Sequence, residues 1–328
     1  MKSPLVRRRE VLLLTGAAAL GCAPALAQST NYPSRPITLV VGYPPGGSTD
    51  LTARLLGEQL ARSLGQPVVI ENVGGAGGAL GAQKVALAAA DGHTLLLGSN
   101  NEMAIAHLVN PAIRYDPIRN FTPLGRVASQ PMVLVASPHA GMPDVSAFIE
   151  RVKQHPGKFS YGSSGVGTGL NLAGEMVKQA AGLFIVHIPY RGVGPLTTDL
   201  IGGQLELGVY VLSSGLPQIK AGKVVALGVT ERERSPVAPQ IPALAETASL
   251  RSVDIGTWFG LWGPAGLPRP VTERLQAALA DALKAPELVQ KMTASGATMA
   301  APGAVLSDFQ AAEITKYRRI IDQAGIRV

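Results

Sequence analysis

Six short segments combine Gly, Ser, Thr and Asn with few ionisable side chains: Tyr43 to Ser48, Asn72 to Gly78, Ser99 to Asn101, Ser163 to Thr168, Tyr190 to Gly194 and Leu212 to Gly215. Such segments can hold an anion through backbone N–H groups and hydroxyls, above all where they run into a helix N-terminus with free donors and a favourable dipole. Gly46, Gly47, Gly165 and Gly167 would let a carboxylate approach the backbone closely. Ser163, Ser164 and Thr168 can act as ligand hydroxyls or as helix N-caps. Arg191 can clamp a carboxylate or stand as a solvated charge. Asp50 would repel an anion that it faced, and is read as a helix cap that points sideways. These residue types suit recognition rather than proton transfer.

Signatures of catalysis are missing. Gly162-Ser163-Ser164-Gly165 has the wrong spacing for a nucleophile elbow. Gly74 to Gly81 lacks the dinucleotide fingerprint, and no phosphate-loop lysine follows a glycine run. The histidines at 93, 107, 139, 155 and 187 are scattered, with no pair at metal-ligand spacing. No catalytic residue, metal or cofactor is therefore expected.

Alternating strands and helices must position these segments. Ile37 to Val41 is a β-branched run that stops at Tyr43-Pro44-Pro45-Gly46-Gly47. Leu51, Leu55, Leu56, Leu60 and Leu64 then share a helical face that ends at Gly65, and Val68 to Ile70 completes a βαβ unit. A helix is expected around Lys84 to Ala90 and a strand over Thr94 to Leu97. After a passage punctuated by Pro111, Pro117 and Pro123, a strand at Met132 to Ala136 restarts the same layout. Ser163 to Gly169 opens a helix, and Ile185 to Ile188 runs into Pro189-Tyr190-Arg191-Gly192. Trp258 and Trp262 lie four apart in an extended run, so they share a face and are expected to pack in the core or at a hinge. The pattern predicts α/β architecture with mostly parallel sheets covered by helices. One domain is placed at residues 28–130 plus a returning 257–328 and the second at 131–256, with a hinge at the crossings.

The composition agrees. The chain has 328 residues, 46% of them hydrophobic and 16% charged, enough apolar content for two cores and too much for disorder. One cysteine excludes a disulfide scaffold. Lys2, Arg7, Arg8 and Arg9, the apolar run Val11 to Leu20 and Ala25-Leu26-Ala27 make residues 1–27 an export signal. Arg8-Arg9 fits the twin-arginine route, and Cys22 lies in a poor lipobox. Cleavage after Ala27 removes those four cations and Glu10, and so takes the formal charge from +7 to +4. The remaining basic residues are not interleaved with aromatics, which argues against nucleic acid as a partner.

Tyr32-Pro33-Ser34-Arg35-Pro36-Ile37 and Tyr43-Pro44-Pro45-Gly46-Gly47-Ser48-Thr49-Asp50 resemble the Bug family, the periplasmic solute receptors of tripartite tricarboxylate transporters. The likeness recurs in Val69-Ile70-Glu71-Asn72, Asp91-Gly92-His93-Thr94-Leu95, Tyr161-Gly162-Ser163-Ser164-Gly165, Leu172-Ala173-Gly174-Glu175, His187-Ile188-Pro189-Tyr190-Arg191-Gly192, Asp199 to Gln204 and Trp258-Phe259-Gly260-Leu261. The resemblance implies a monomeric, two-domain Venus flytrap of type II-like layout, without catalysis, in the periplasm. It would close on a small carboxylate and dock to membrane subunits of a transporter, or alternatively signal to a sensor kinase. An exported enzyme on the same scaffold is the competing class. Carried over, the resemblance nominates Tyr43, Gly47, Ser48 and Ser99 in the first domain and Ser163, Thr168, Tyr190 and Arg191 in the second. Asn171 replaces the His of many members, which implies a change at the pocket rim. Tyr210 to Ser214 lacks their acidic residue, which tilts the expected ligand from amino acids toward plain or aromatic carboxylates.

Overall fold

The computed structural model describes residues 32–326; the export signal expected over residues 1–27, with Cys22, lies outside them. Strand β1 (Ile37–Val41), helix α1 (Ser48–Leu64) and β2 (Val68–Asn72) form the first βαβ unit, extended by α2 (Ala79–Ala86) and β3 (Thr94–Ser99). A π-helical turn at Asn101–Ile105 and the short α3 (Ala106–Val109) lead into a long strand, β4 (Phe121–Ala136). The second set comprises α4 (Val145–Gln154), β5 (Ser160–Ser163), α5 (Gly169–Ala181), β6 (Val186–Pro189), α6 (Val193–Ile201), β7 (Leu207–Val211), α7 (Leu212–Lys220) and β8 (Val225–Val229). Then come β9 (Gly256–Pro264), α8 (Arg269–Ala282), α9 (Pro286–Ala294), β10 (Thr298–Met299) and α10 (Leu306–Ala324).

The strands follow the order β2-β1-β3-β9-β4-β7-β5-β6, with β8 and β10 also paired to β4. Pairing is parallel where helices return the chain, in β2-β1-β3 and in β7-β5-β6. It is antiparallel wherever β4 or β9 takes part. The expected parallel sheets are therefore joined through an antiparallel centre.

Strand β4 begins eleven residues before the Met132 start expected from the sequence, and passes through Pro123 and Pro131. Proline lacks a ladder donor, and the ladder gives way near both residues. Its register with β9 shifts between Pro123 and Gly125, and Pro131 is the last residue paired with β9. From Met132 onward β4 lies between β7 and β8. Helix α2 starts earlier than expected: the glycine segment turns through left-handed backbone at Ala76, Gly77 and Gly78 (φ +48°, +62° and +97°), and Gly78 is the N-cap of α2.

Both tryptophans lie on one buried face of β9, with ring centroids 6.1 Å apart. Trp258 Nε1 donates to Glu313 Oε2 at 2.9 Å and Trp262 Nε1 to Gln310 Oε1 at 3.2 Å, so α10 is fastened to β9 through both indoles. The glycine segment is pressed against the end of β1. A Cβ on Gly42 would lie 2.6 Å from the Gly78 carbonyl oxygen, and one on Gly81 2.8 Å from Gly42 Cα. Backbone cannot yield as a side chain can, so Gly42→Ala is expected to cost about 1–3 kcal/mol and to lower the melting midpoint by several degrees. Gly194→Ala, where a Cβ meets nothing within 4 Å, is expected to change stability by less than about 0.5 kcal/mol. Thermal unfolding of the two variants checks the pair.

Candidate functional site in the cleft between strand-end loops

Two cavities with shared walls open at the carboxyl ends of the parallel strands. The inner one, about 120 Å³, is lined by Tyr43, Gly47, Ser48, Ser99 and Asn101 on one side and by Ser164 and Arg191 to Pro195 on the other. The outer one, about 790 Å³, runs between the Gly74–Gly78 loop and the Ser164–Gly167 loop. The walls come close: a Cβ on Gly192 would lie 3.6 Å from Pro44 Cδ, and one on Gly47 3.8 Å from Val193 Cγ2.

The wall after β1 is organised by Asp50. Its carboxylate accepts from Gly46 N at 3.0 Å and Asn72 Nδ2 at 3.0 Å, and from Arg54 Nε and Nη2 at 3.0 and 2.9 Å. Burial pushes the Asp50 pKa up, but the Arg54, Gly46 and Asn72 hydrogen bonds outweigh it and hold the carboxyl below its usual range. Its charge is thus paired with Arg54, but Asp50 does not cap α1 as read from the sequence: the N-cap is Gly47, with no side-chain bond, and the Asp50 carboxylate turns to Gly46, Asn72 and Arg54 instead. Tyr43 donates its hydroxyl to the Gly77 carbonyl at 2.7 Å and receives a hydrogen bond from Asn101 Nδ2. Asn101 Oδ1 in turn accepts from Gly169 N at 2.6 Å, linking this wall to the start of α5.

Helix N-termini border the inner cavity, and those of α1 and α6 have no side-chain cap. Gly47 is the N-cap of α1. Gly192, at φ +106°, is that of α6, a backbone conformation for which glycine is suited. Pro195 at the third position of α6 has no N–H, so Val193 and Gly194 carry the free donors there. Arg191 is the one fully charged side chain lining either cavity among the described residues.

Five nominated residues, Tyr43, Gly47, Ser48, Ser99 and Arg191, come together around the inner cavity. Tyr190 borders the outer one, with its hydroxyl donating to Asp199 Oδ2 at 2.8 Å. Ser163 and Thr168 line neither. Thr168 caps α5, accepting from Asn171 N at 3.3 Å and donating to the Gly165 carbonyl at 2.8 Å. Ser163 Oγ lies 2.7 Å from His187 Nε2 and also bonds the Gly165 backbone. A Ser–His contact is what a nucleophile needs, and the spacing did not reveal it. Ser163 is fully buried, however, and closed in by its own loop. His187 stacks on Tyr161 at 4.8 Å, and burial brings its pKa down to about 4. The pair braces the loop. Asn171 likewise lies off the cavity, holding Gly167 N at 2.9 Å and the Tyr161 hydroxyl at 2.7 Å.

Asn101 falls in a candidate segment of the sequence but was not nominated singly, and Thr257 and Glu102 were not nominated at all. Glu102 carries the Ser-x-x-Glu spacing of a capping box, a signal that was available. The π-helical turn folds its carboxylate back so that Oε1 accepts from Ser99 N and Oε2 from Ser99 Oγ, each at 2.7 Å. The side chain is wholly buried, and burial raises its pKa to about 7 against the pull of those hydrogen bonds. Burial, and then the Glu102 charge, push Tyr43 and Tyr115 well above the ordinary tyrosine value.

Known proteins resemble this chain over most of its length. The profile of the family described as "Tripartite tricarboxylate transporter family receptor" matches residues 52–326. The chain is 34% identical to Protein BugT of Bordetella pertussis over 314 residues, 95% of each chain. It superposes on R. palustris Rpa4515 with adipate at 31% identity and a TM-score of 0.85, covering 90% of this chain and 99% of the other. It also superposes on MatC of Rhodopseudomonas palustris with bound malate at 32% identity and a TM-score of 0.83, covering 88% and 100%. The chain has the two-domain fold of periplasmic binding proteins and belongs to the receptor family of the tripartite tricarboxylate transporters.

Proposed function

We propose that this receptor captures a small carboxylated solute between its two domains in the periplasm and delivers it to the membrane subunits of a tripartite transporter, without catalysis of its own. The observation that carries this reading is the convergence of two uncapped helix N-termini and Arg191 on one cavity. Free N–H groups, helix dipoles and a guanidinium favour an anion, and a carboxylate fits a fork of such donors. The relatives that carry adipate and malate support the same class. In this reading Tyr43, Gly47, Ser48, Ser99 and Arg191 contact the solute, Tyr190 borders its entrance, and Ser163 and Thr168 shape the loop behind it. The absence of an acidic residue over Tyr210 to Ser214 favours plain or aromatic carboxylates over amino acids.

The domains are residues 28–130 with 257–328, and 131–256. The change of β4 partners after Pro131 and the start of β9 at Gly256 support those limits. The cavity is complete within one chain, which suits a monomer, and Arg8-Arg9 suits export by the twin-arginine route.

A thermal-shift screen of residues 28–328 against mono-, di- and tricarboxylates, aromatic acids and acidic amino acids tests the reading. A solute at 100-fold its dissociation constant stabilises by about 2.7 kcal/mol. A rise in melting midpoint confined to one carboxylate class is expected; silence from protein unfolded, dialysed and refolded beforehand would refute the carboxylate assignment. Arg191→Gln should weaken the bound acid about tenfold or more while leaving the melting midpoint of the free protein unchanged. Small-angle scattering should show a smaller radius of gyration with saturating acid, as hinge closure requires.

A further inference from the structure

Directly behind the cavity wall lies a carboxyl group with no cation beside it among the described residues. Glu102 bonds both the N–H and the hydroxyl of Ser99, and Ser99 lines the inner cavity. Its Oε2 lies against Gly78, where a Cβ would come within 2.7 Å, so the glycine loop covers it from above. Two titratable groups face it: Tyr43 from the loop after β1, and Tyr115, whose hydroxyl donates to the Glu102 carbonyl at 2.7 Å. Several charged groups on the surrounding elements are engaged elsewhere. On α1, Asp50 pairs with Arg54; on α2, Lys84 pairs with Glu71 of β2. On α10, which packs on the π-helical turn, Glu313 holds Trp258 and Lys316. His107 of α3 is set by burial, Asp116 and Arg318.

We propose that Glu102 is a positioning residue that takes up a proton when a carboxylated solute binds, and that this proton turns Ser99 into a donor toward the solute. The inference rests on the carboxylate reading above. An ionised Glu102 can only accept, so the Ser99 hydroxyl hydrogen points at Oε2 and only lone pairs remain for a neighbouring anion. With a proton taken from solvent onto Oε2, Glu102 donates to Ser99 Oγ, and the Ser99 hydrogen is released toward the cavity. Oε1 keeps the Ser99 N–H in both states. The same proton removes a negative charge that would repel the solute from behind a single layer of protein. Burial, set against the pull of the Ser99 hydrogen bonds, places the carboxyl at about 7, and a second anion pushes it further up.

Calorimetric titration with adipate, malate and benzoate, repeated in two buffers of different ionisation enthalpy, tests the proposal. Uptake of about half a proton per acid bound is expected at pH 7, rising toward one at pH 8, and binding about tenfold weaker at pH 8 than at pH 6, because only the protonated fraction is competent. Glu102→Gln keeps both hydrogen bonds in the protonated sense, donating to Ser99 Oγ and accepting from Ser99 N. It should bind with the affinity that the wild type shows at low pH, without proton uptake and without pH dependence. Melting checks its fold. A raised carboxyl pKa gives stability that is present at low pH and lost as pH climbs from about 4.5 to about 7, so the variant should gain on the wild type across that window and no further above it. Should the variant not fold, the proton count of the wild type decides alone. Binding with no proton uptake and a flat pH profile would overturn the proposal and leave the carboxylate reading standing. Failure of all three acids to bind at any pH would overturn the carboxylate reading for these acids, and the proposal with it.

Discussion

The pairing of β4 with β9 holds the cleft in register. Strand β4 lies beside β9 up to Pro131 and beside β7 and β8 beyond it, and β9 carries the ladder on to β3. The loop after β3, with Ser99 and Asn101, and the loops after β5, β6 and β7 therefore hang from one continuous set of backbone hydrogen bonds. The two indoles of β9 fasten α10 across that crossing. Thr257 of β9, whose hydroxyl donates to Asn100 Oδ1 at 2.7 Å, lines the inner cavity itself. The centre of the sheet is thus both scaffold and floor of the site.

Electrostatics add a second constraint. A cleft meant for an anion has to silence the carboxylates near it, because charges in a poorly solvated place act over longer range than in water. The two that stand closest are treated differently. Asp50 is ionised and paired: Arg54 answers its charge, and its remaining lone pairs take the Gly46 and Asn72 donors that shape the turn. Glu102 has no cation beside it among the described residues, and its burial raises the carboxyl to the edge of neutrality instead. One residue builds the wall and the other sets its charge. Attraction is left to Arg191 and to backbone donors at two helix starts, which carry partial charge at fixed geometry and need no reorganisation when a ligand arrives.

Hydroxyl-rich loops at strand ends are ambiguous, and Ser163 and Thr168 show why. Both have the residue type of a ligand contact, and both lie within a few residues of the cavity. Yet Thr168 satisfies the first turn of α5 and Ser163 is closed between Gly165 and His187. Their neighbour Ser164 reaches the cavity. Capping and ligand binding use the same oxygen atoms, so local sequence cannot distinguish them.

From the sequence alone came the features that depend on neighbours in the chain. The alternation of strand and helix, the start of α1 after Gly47 and its stop at Gly65, the shared face of Trp258 and Trp262, and the glycine-rich loops at strand ends all follow from local periodicity and backbone preference. Tertiary structure alone decided what depends on distant neighbours and on water. It carried β4 through two prolines that a local reading treats as breaks, because β9 and β7 supply a ladder on either side of Pro131. It chose which hydroxyls face the cavity. It also placed Glu102 under Ser99 and sealed it with Gly78, and a carboxyl's ionisation is set by desolvation, which no spacing along the chain records.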